Sequence, residues 1–141
     1  MKIVICSSTR FNTYIDILAE KLKQEGNEVS IPSDVPFPLS KSPVEQIINK
    51  LFCETLIKNA DLILIFNAND YIGVSTFLEL GMAIYLRKQT KILFPTIKFE
   101  LQVLTISQVH KISIDTDFIR QYMDEKIIEI LSKIPRMNNN G

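Results

Sequence analysis

A single glutamate, Glu79, stands in the otherwise apolar helical segment Phe77-Leu-Glu-Leu-Gly-Met-Ala-Ile84. It follows the apolar run Leu62-Ile-Leu-Ile-Phe66, which reads as a buried strand, and a polar loop that includes Gly73. A helix apolar all round is expected to be buried, and an isolated buried carboxylate is expensive unless it is bonded or has a task. An ionised, desolvated glutamate at the rim of a pocket can attack an electron-poor anomeric carbon. Thr76-Phe-Leu-Glu79 also has the S/T-x-x-E spacing of a capping box, in which the glutamate bonds back to the N-cap amide. The spacing leaves both roles open, and a helix N-terminus would hold the carboxylate ionised in either.

A second polar cluster, Ser7-Ser8-Thr9-Arg10, follows the opening apolar run Lys2-Ile-Val-Ile-Cys6. Backbone N–H groups at a helix start, hydroxyls and an arginine fork suit an anion such as a phosphate. The plain alternative is that Ser8 and Thr9 satisfy the turn while Arg10 is solvated. In the loop before Glu79, Asp70 is a candidate proton donor and Tyr71 is placed to stack on a base or sugar. Asn67, Asn69, Gly73, Ser75 and Thr76 are candidate substrate contacts, although asparagines also serve turns for their own sake. Phe77 and Met82 read as core at helical spacing, and His110, beside a strand, as structural.

These residues need a scaffold, and 141 residues suffice for one domain with a sizeable core. Apolar residues make up 46% and charged residues 23%, which is ordinary globular usage. The formal net charge is +0, so no electrostatic footprint marks a nucleic-acid polymer or an anionic membrane as partner. No apolar stretch is long enough to span a bilayer, and the N-terminus lacks the pattern of a signal peptide. Cys6 and Cys53 lack CxxC spacing and a histidine cluster, which argues for reduced, buried thiols in a cytoplasmic protein and against a metal site.

Five strands are expected, at 2–6, 28–31, 62–66, 91–94 and 109–114. Thr13 with Asp16 marks the first helix start and Gly26 its left-handed end. Residues 32–42 read as a proline-rich crossing loop, and Ser42-Pro43-Val-Glu45 as the cap of a second helix. Residues 97–106 are ambiguous and lean towards a short helix or turn. One closing helix is expected over 116–134, ended by Pro135, with 135–141 a frayed tail and 1–134 one α/β domain. Strands alternating with helices predict a three-layer, flavodoxin-like or Rossmann-like sandwich with parallel strand order 2-1-3-4-5. Its switch point puts ligands at the carboxyl ends of strands one and three, where Ser7–Arg10 and Asn67–Ser75 lie.

Gly73-Val-Ser-Thr-Phe-Leu-Glu79-Leu-Gly-Met-Ala83, followed by Lys91-Ile-Leu, resembles the signature of the nucleoside 2-deoxyribosyltransferase-like proteins. That group includes the transferases and the 2'-deoxynucleoside 5'-monophosphate N-glycosidases. The resemblance implies that Glu79 is the nucleophile of a covalent glycosyl intermediate, that no cofactor is needed, and that the chain forms a homodimer or higher homo-oligomer. Ile5-Cys-Ser-Ser-Thr-Arg10 is similar to the glycosidases' phosphate-binding segment, with Ser8 and Arg10 matching its serine and arginine. The family's aspartate before strand three falls on Cys53, its strand-one aromatic on Val4, and the loop before Glu79 is longer than in the glycosidases. Asp70 or Glu54 would have to replace that acid, or none does. The implied function is cleavage or transfer at the N-glycosidic bond of a nucleoside or its 5'-monophosphate. A non-catalytic nucleotide-binding or sensor module and an NAD-type glycohydrolase are the alternatives.

Overall fold

The computed structural model describes residues 1–32, 43–96 and 111–134. Its centre is a five-stranded, all-parallel sheet of order β2-β1-β3-β4-β5, built from β1 (Lys2–Ser7), β2 (Glu28–Ser30), β3 (Leu62–Phe66), β4 (Thr90–Ile92) and β5 (Ile112–Ile114). Every residue of β3 is buried, as the near-continuous apolar run requires of a strand covered on both faces. The register pairs Cys6 with Ile65 and Ser7 with Phe66, so β1 and β3 end side by side.

Alternation along the strands divides the core between two faces. Ile3, Ile5, Leu62, Leu64 and Phe66 pack with Ile15, Leu18 and Leu22 of α1 (Asn12–Gln24), Ile119 of α4 (Thr116–Arg120) and Leu131 of α5 (Glu125–Ser132). Val4, Cys6, Ile63, Ile65 and Ile92 pack on the other side with Ile57 of α2 (Pro43–Lys58) and with Leu80 and Ala83 of α3 (Val74–Tyr85). The result is the expected three-layer α/β sandwich with the expected strand order. Gly26 takes φ 93° at the end of α1, as anticipated.

Several elements depart from expectation. Helical structure begins at a 3-10 turn, Thr9–Phe11, rather than at Thr13, because Phe11 is buried and must be carried into the core straight after β1. Strand β4 ends at Ile92: Leu93 still donates to Ile65 O, but the Phe94 amide is taken by the Asn67 side chain, which closes the ladder. The closing helix is two helices, α4 and α5. Asp124 accepts from the Ile127 amide at 2.9 Å and starts a new helix, while buried Met123 anchors the turn before it.

Helix α3 buries only one side. Thr76, Glu79, Leu80 and Ala83 face inward, whereas Val74, Phe77, Leu78 and Tyr85 are exposed, so Phe77 is not core and Met82 is half-buried. The expectations for the 33–42 loop, Ser42, residues 97–106, the start of the last strand at 109, His110 and the 135–141 tail lie outside the described residues.

Candidate active site

Helix α3 begins after Gly73, whose carbonyl accepts the first helical bond, from the Phe77 amide at 3.0 Å; no side chain caps it. Thr76 therefore sits inside the first turn, and its Oγ1 is buried without a hydrogen-bond partner among the described residues. The capping-box expectation is overturned, since the true N-cap lies three residues earlier than the spacing suggested. Glu79 falls in the second turn, is 7% exposed, and no described residue gives its carboxylate a hydrogen bond or an ion pair. Burial alone pushes its pKa from 4.5 up to about 8. The expectation that the helix start holds it ionised also fails, because that field fades beyond the first turn and desolvation wins.

Helix α3 packs against β1 and α2. From those elements the thiols of Cys6 and Cys53 lie within the field of Glu79. Burial first, and the Glu79 charge second, raise Cys53 to about 11 and lift Cys6 well above the ordinary thiol value. Cys6 is buried, Cys53 half-buried, and both are free. A neutral thiol thus occupies the α2 position where the resemblance would put an aspartate. Glu54 is exposed and lines an outer groove with Ile47, Leu51, Leu78 and Met82.

The loop after β1 is turned by Ser8, whose Oγ accepts from the Arg10 amide at 3.4 Å while its carbonyl accepts from Phe11 at 3.1 Å. Ser7 Oγ donates to the Ser8 carbonyl at 3.2 Å. Thr9 is exposed, and Ser7 and Arg10 are half-buried. The Arg10 guanidinium lies 3.7 Å over the Tyr71 ring, which joins this loop to the one after β3.

That second loop is held from inside. Asn67 is fully buried and spends both ends of its amide on Phe94, donating to its carbonyl and accepting from its amide, each at 2.9 Å. Asn69 and Asp70 take φ 52° and 53°, a left-handed backbone that short polar side chains tolerate. Asn69 Nδ2 donates to Ile134 O at 2.6 Å, tying the loop to the end of α5, and Asp70 is buried. Tyr71 is half-buried with its edge on Phe11; Gly73 is buried and Ser75 exposed.

The fold thus brings Arg10 and Tyr71 together by direct contact, and sets Glu79, on the helix packed against β1, close enough for its charge to act on Cys6. It commits the amide of Asn67 to a structural clamp. Sequence reasoning missed the Arg10–Tyr71 stack and the thiols facing Glu79; the only sequence signal for the latter was Cys53 at the aspartate position. A cleft of about 310 Å³ lined by Ile3, Leu22, Leu62, Lys91, Phe118 and Tyr122 opens at the amino ends of the strands, away from Glu79. There Lys91 is bound to Asp115 at 2.6 Å. Among the described residues no His/Cys/Asp/Glu group could hold a metal ion, and no helix is long and apolar enough to cross a membrane.

No protein-family model and no curated protein sequence matches the chain. Solved structures do. A 2-deoxyribosyltransferase from Bacillus psychrosaccharolyticus superposes with a TM-score of 0.63 at 20% identity, covering 97% of this chain and all of that one. A CMP N-glycosidase from Clostridium botulinum superposes with a TM-score of 0.56 at 15% identity, covering 82% of this chain and 87% of that one. The chain has the α/β fold that these two nucleoside- and nucleotide-processing enzymes share.

Proposed function

We propose that the protein is an enzyme of the nucleoside 2-deoxyribosyltransferase-like family that cleaves or transfers the N-glycosidic bond of a nucleoside or nucleoside 5'-monophosphate, with Glu79 as nucleophile. The observation that carries this reading is Glu79 itself: a desolvated carboxylate without partners among the described residues, in α3 beside the end of β1. A carboxylate stripped of hydrogen bonds is a stronger nucleophile than a solvated one, at the cost of a pKa near 8 that leaves only a minority ionised at neutral pH. In the reaction the ionised oxygen attacks the anomeric carbon and the base departs with the glycosidic electron pair. Asp70, or water, protonates the base. Water or a second base then attacks the same carbon and frees Glu79. No step draws on a metal or an organic cofactor.

Arg10 and Ser8 are assigned to a 5'-phosphate, supported by their position in the loop that follows the carboxyl end of β1. The reading includes a homodimer, supported by the outer face of α2 and α3. There Ile47, Leu51 and Leu78 are exposed and line one groove, with further exposed apolar side chains such as Val74, Phe77 and Tyr85 on α3. It also places the protein in the cytoplasm, where thiols such as Cys6 and Cys53 stay reduced.

One observation favours a non-catalytic nucleotide-binding module instead: Glu79 holds its proton up to about 8 and a thiol stands where the family has an acid. Incubation with deoxynucleosides, their monophosphates and NAD, followed by chromatography for free base, decides between them. Base released from a deoxynucleoside or its monophosphate supports the enzyme. Binding without release supports the module, and release of nicotinamide alone moves the protein to NAD chemistry.

A further inference from the structure

The buried side of α3 carries two polar residues, Thr76 and Glu79, together with Leu80 and Ala83. Residues three apart on a helix are neighbours on its surface. Helical side chains lean towards the helix start, which brings the Glu79 carboxyl towards the turn that holds Thr76. That turn follows the loop after β3, so Thr76 stands nearer the carboxyl ends of the strands than Glu79 does. Thr76 is 1% exposed, and its Oγ1 finds no hydrogen-bond partner among the described residues. A buried hydroxyl left unpaired weakens a fold and is rare in native proteins. Valine has the same shape without that penalty, so packing alone gives no reason for a threonine at this position.

We propose that Thr76 is a specificity-determining residue: its hydroxyl bonds the 2'-hydroxyl of the sugar whose anomeric carbon Glu79 attacks, so the site favours ribosides over 2'-deoxyribosides. The inference rests on the reading of Glu79 as the nucleophile of glycosidic chemistry. In a β-nucleoside the base leaves from one face of the sugar ring, so an in-line nucleophile approaches the other. On ribose the 2'-hydroxyl projects from that other face, on the carbon next to the one attacked. It is the sugar hydroxyl nearest the point of attack, and Thr76 is the neighbour of Glu79 on the same helical face. A threonine hydroxyl can donate to it and accept from it. A site that pairs a buried hydroxyl with its ligand discriminates against the analogue lacking that group, because the protein's own hydroxyl is then left unpaired. A 2'-deoxyriboside still reacts, more weakly bound, since the nucleophile is untouched.

The test compares wild type, Thr76→Val and Thr76→Ser on adenosine, guanosine, cytidine and uridine and on their 2'-deoxy, 3'-deoxy and arabino counterparts. Calorimetry reads binding and chromatography reads base release. The sugars differ in intrinsic reactivity, and that difference cancels when the riboside-to-deoxyriboside ratio of one protein is divided by that of another. Thr76→Val should lower this ratio by roughly five- to a hundredfold, the size of a buried hydroxyl's lost pairing, by weakening the riboside and leaving the 2'-deoxyriboside unchanged. Thr76→Ser should keep most of the ratio. The arabinoside, whose 2'-hydroxyl projects from the same face as the base, should respond as the 2'-deoxyriboside does. Thr76→Val should also resist urea at least as well as wild type, since it deletes an unpaired group. An unchanged ratio in Thr76→Val overturns the role of Thr76 and leaves the glycosidic reading standing. So does a 3'-deoxynucleoside that responds like the 2'-deoxynucleoside, or a Thr76→Val variant less stable than wild type. Thr76-dependent binding of ribosides without base release keeps the contact and overturns the glycosidic chemistry. Neither binding nor release with any of these sugars overturns both.

Discussion

Replacing Glu79 by glutamine should remove a pH dependence of stability that the fold now carries. In the unfolded chain the carboxyl titrates at its ordinary 4.5, and in the folded protein burial holds it at about 8. Between those values the native state keeps a proton that the unfolded chain has released. Stability from this group is therefore fully present below about 4.5, falls as pH rises, and levels off above about 8. A tenfold change in proton affinity is worth about 1.4 kcal/mol, so the rise from 4.5 to about 8 sets the loss at about 5 kcal/mol. That is a ceiling, reached only if the site stays dry once charged, and it matches the whole stability of a marginal domain. Glutamine fills the same space and cannot ionise. Urea unfolding of both proteins at intervals from about pH 5 to about pH 9, followed by circular dichroism, isolates the effect, since every other titrating group cancels in the difference. Glu79→Gln should gain on wild type steadily as pH rises. A difference that stays constant, or that grows towards acid, would refute the claim that burial without compensation governs this carboxyl.

Base release should rise with pH towards a plateau above about 8, because only ionised Glu79 attacks; a rate falling over that range would give Glu79 an acid's role. Asn67→Ala should destabilise the fold by about 2–4 kcal/mol, since it strands the buried amide and carbonyl of Phe94. Unchanged unfolding with weakened nucleoside binding would instead return Asn67 to the list of substrate contacts. Arg10→Ala should cost about ten- to a hundredfold in monophosphate affinity, the size of a charge-assisted bond, as read by calorimetry. A Leu51→Glu and Phe77→Glu double variant, aimed at the exposed faces of α2 and α3, should halve the mass seen by sedimentation; a wild type already monomeric at micromolar concentration would contradict the dimer.

The architecture was legible because its signals are local and repeated. Apolar runs such as Leu62–Phe66 have no other place in a chain this size than a doubly covered strand, and the alternation with helices leaves little choice of topology. Boundaries were less legible, because they depend on contacts distant in the chain. Strand β4 stops where Asn67 reaches across to Phe94, and the closing helix breaks where Asp124 finds a free amide, neither of which periodicity reveals. The chemistry of Glu79 was half legible. Its isolation among apolar residues was visible, but the capping alternative could be dismissed only once Gly73, rather than Thr76, proved to start the helix. The exposed side of α3 misled for a physical reason: hydrophobicity reports that a surface needs covering and is silent on whether the same chain covers it.

The most direct test of the central claim is intact-mass spectrometry of the protein mixed rapidly with a slowly turned-over fluorinated deoxynucleoside or its monophosphate. A mass increase equal to the glycosyl group is expected, mapped by peptide analysis to Glu79 and absent in Glu79→Ala, together with loss of base release in that variant. Base release that persists in Glu79→Ala, or an adduct carried by any other residue, would contradict it.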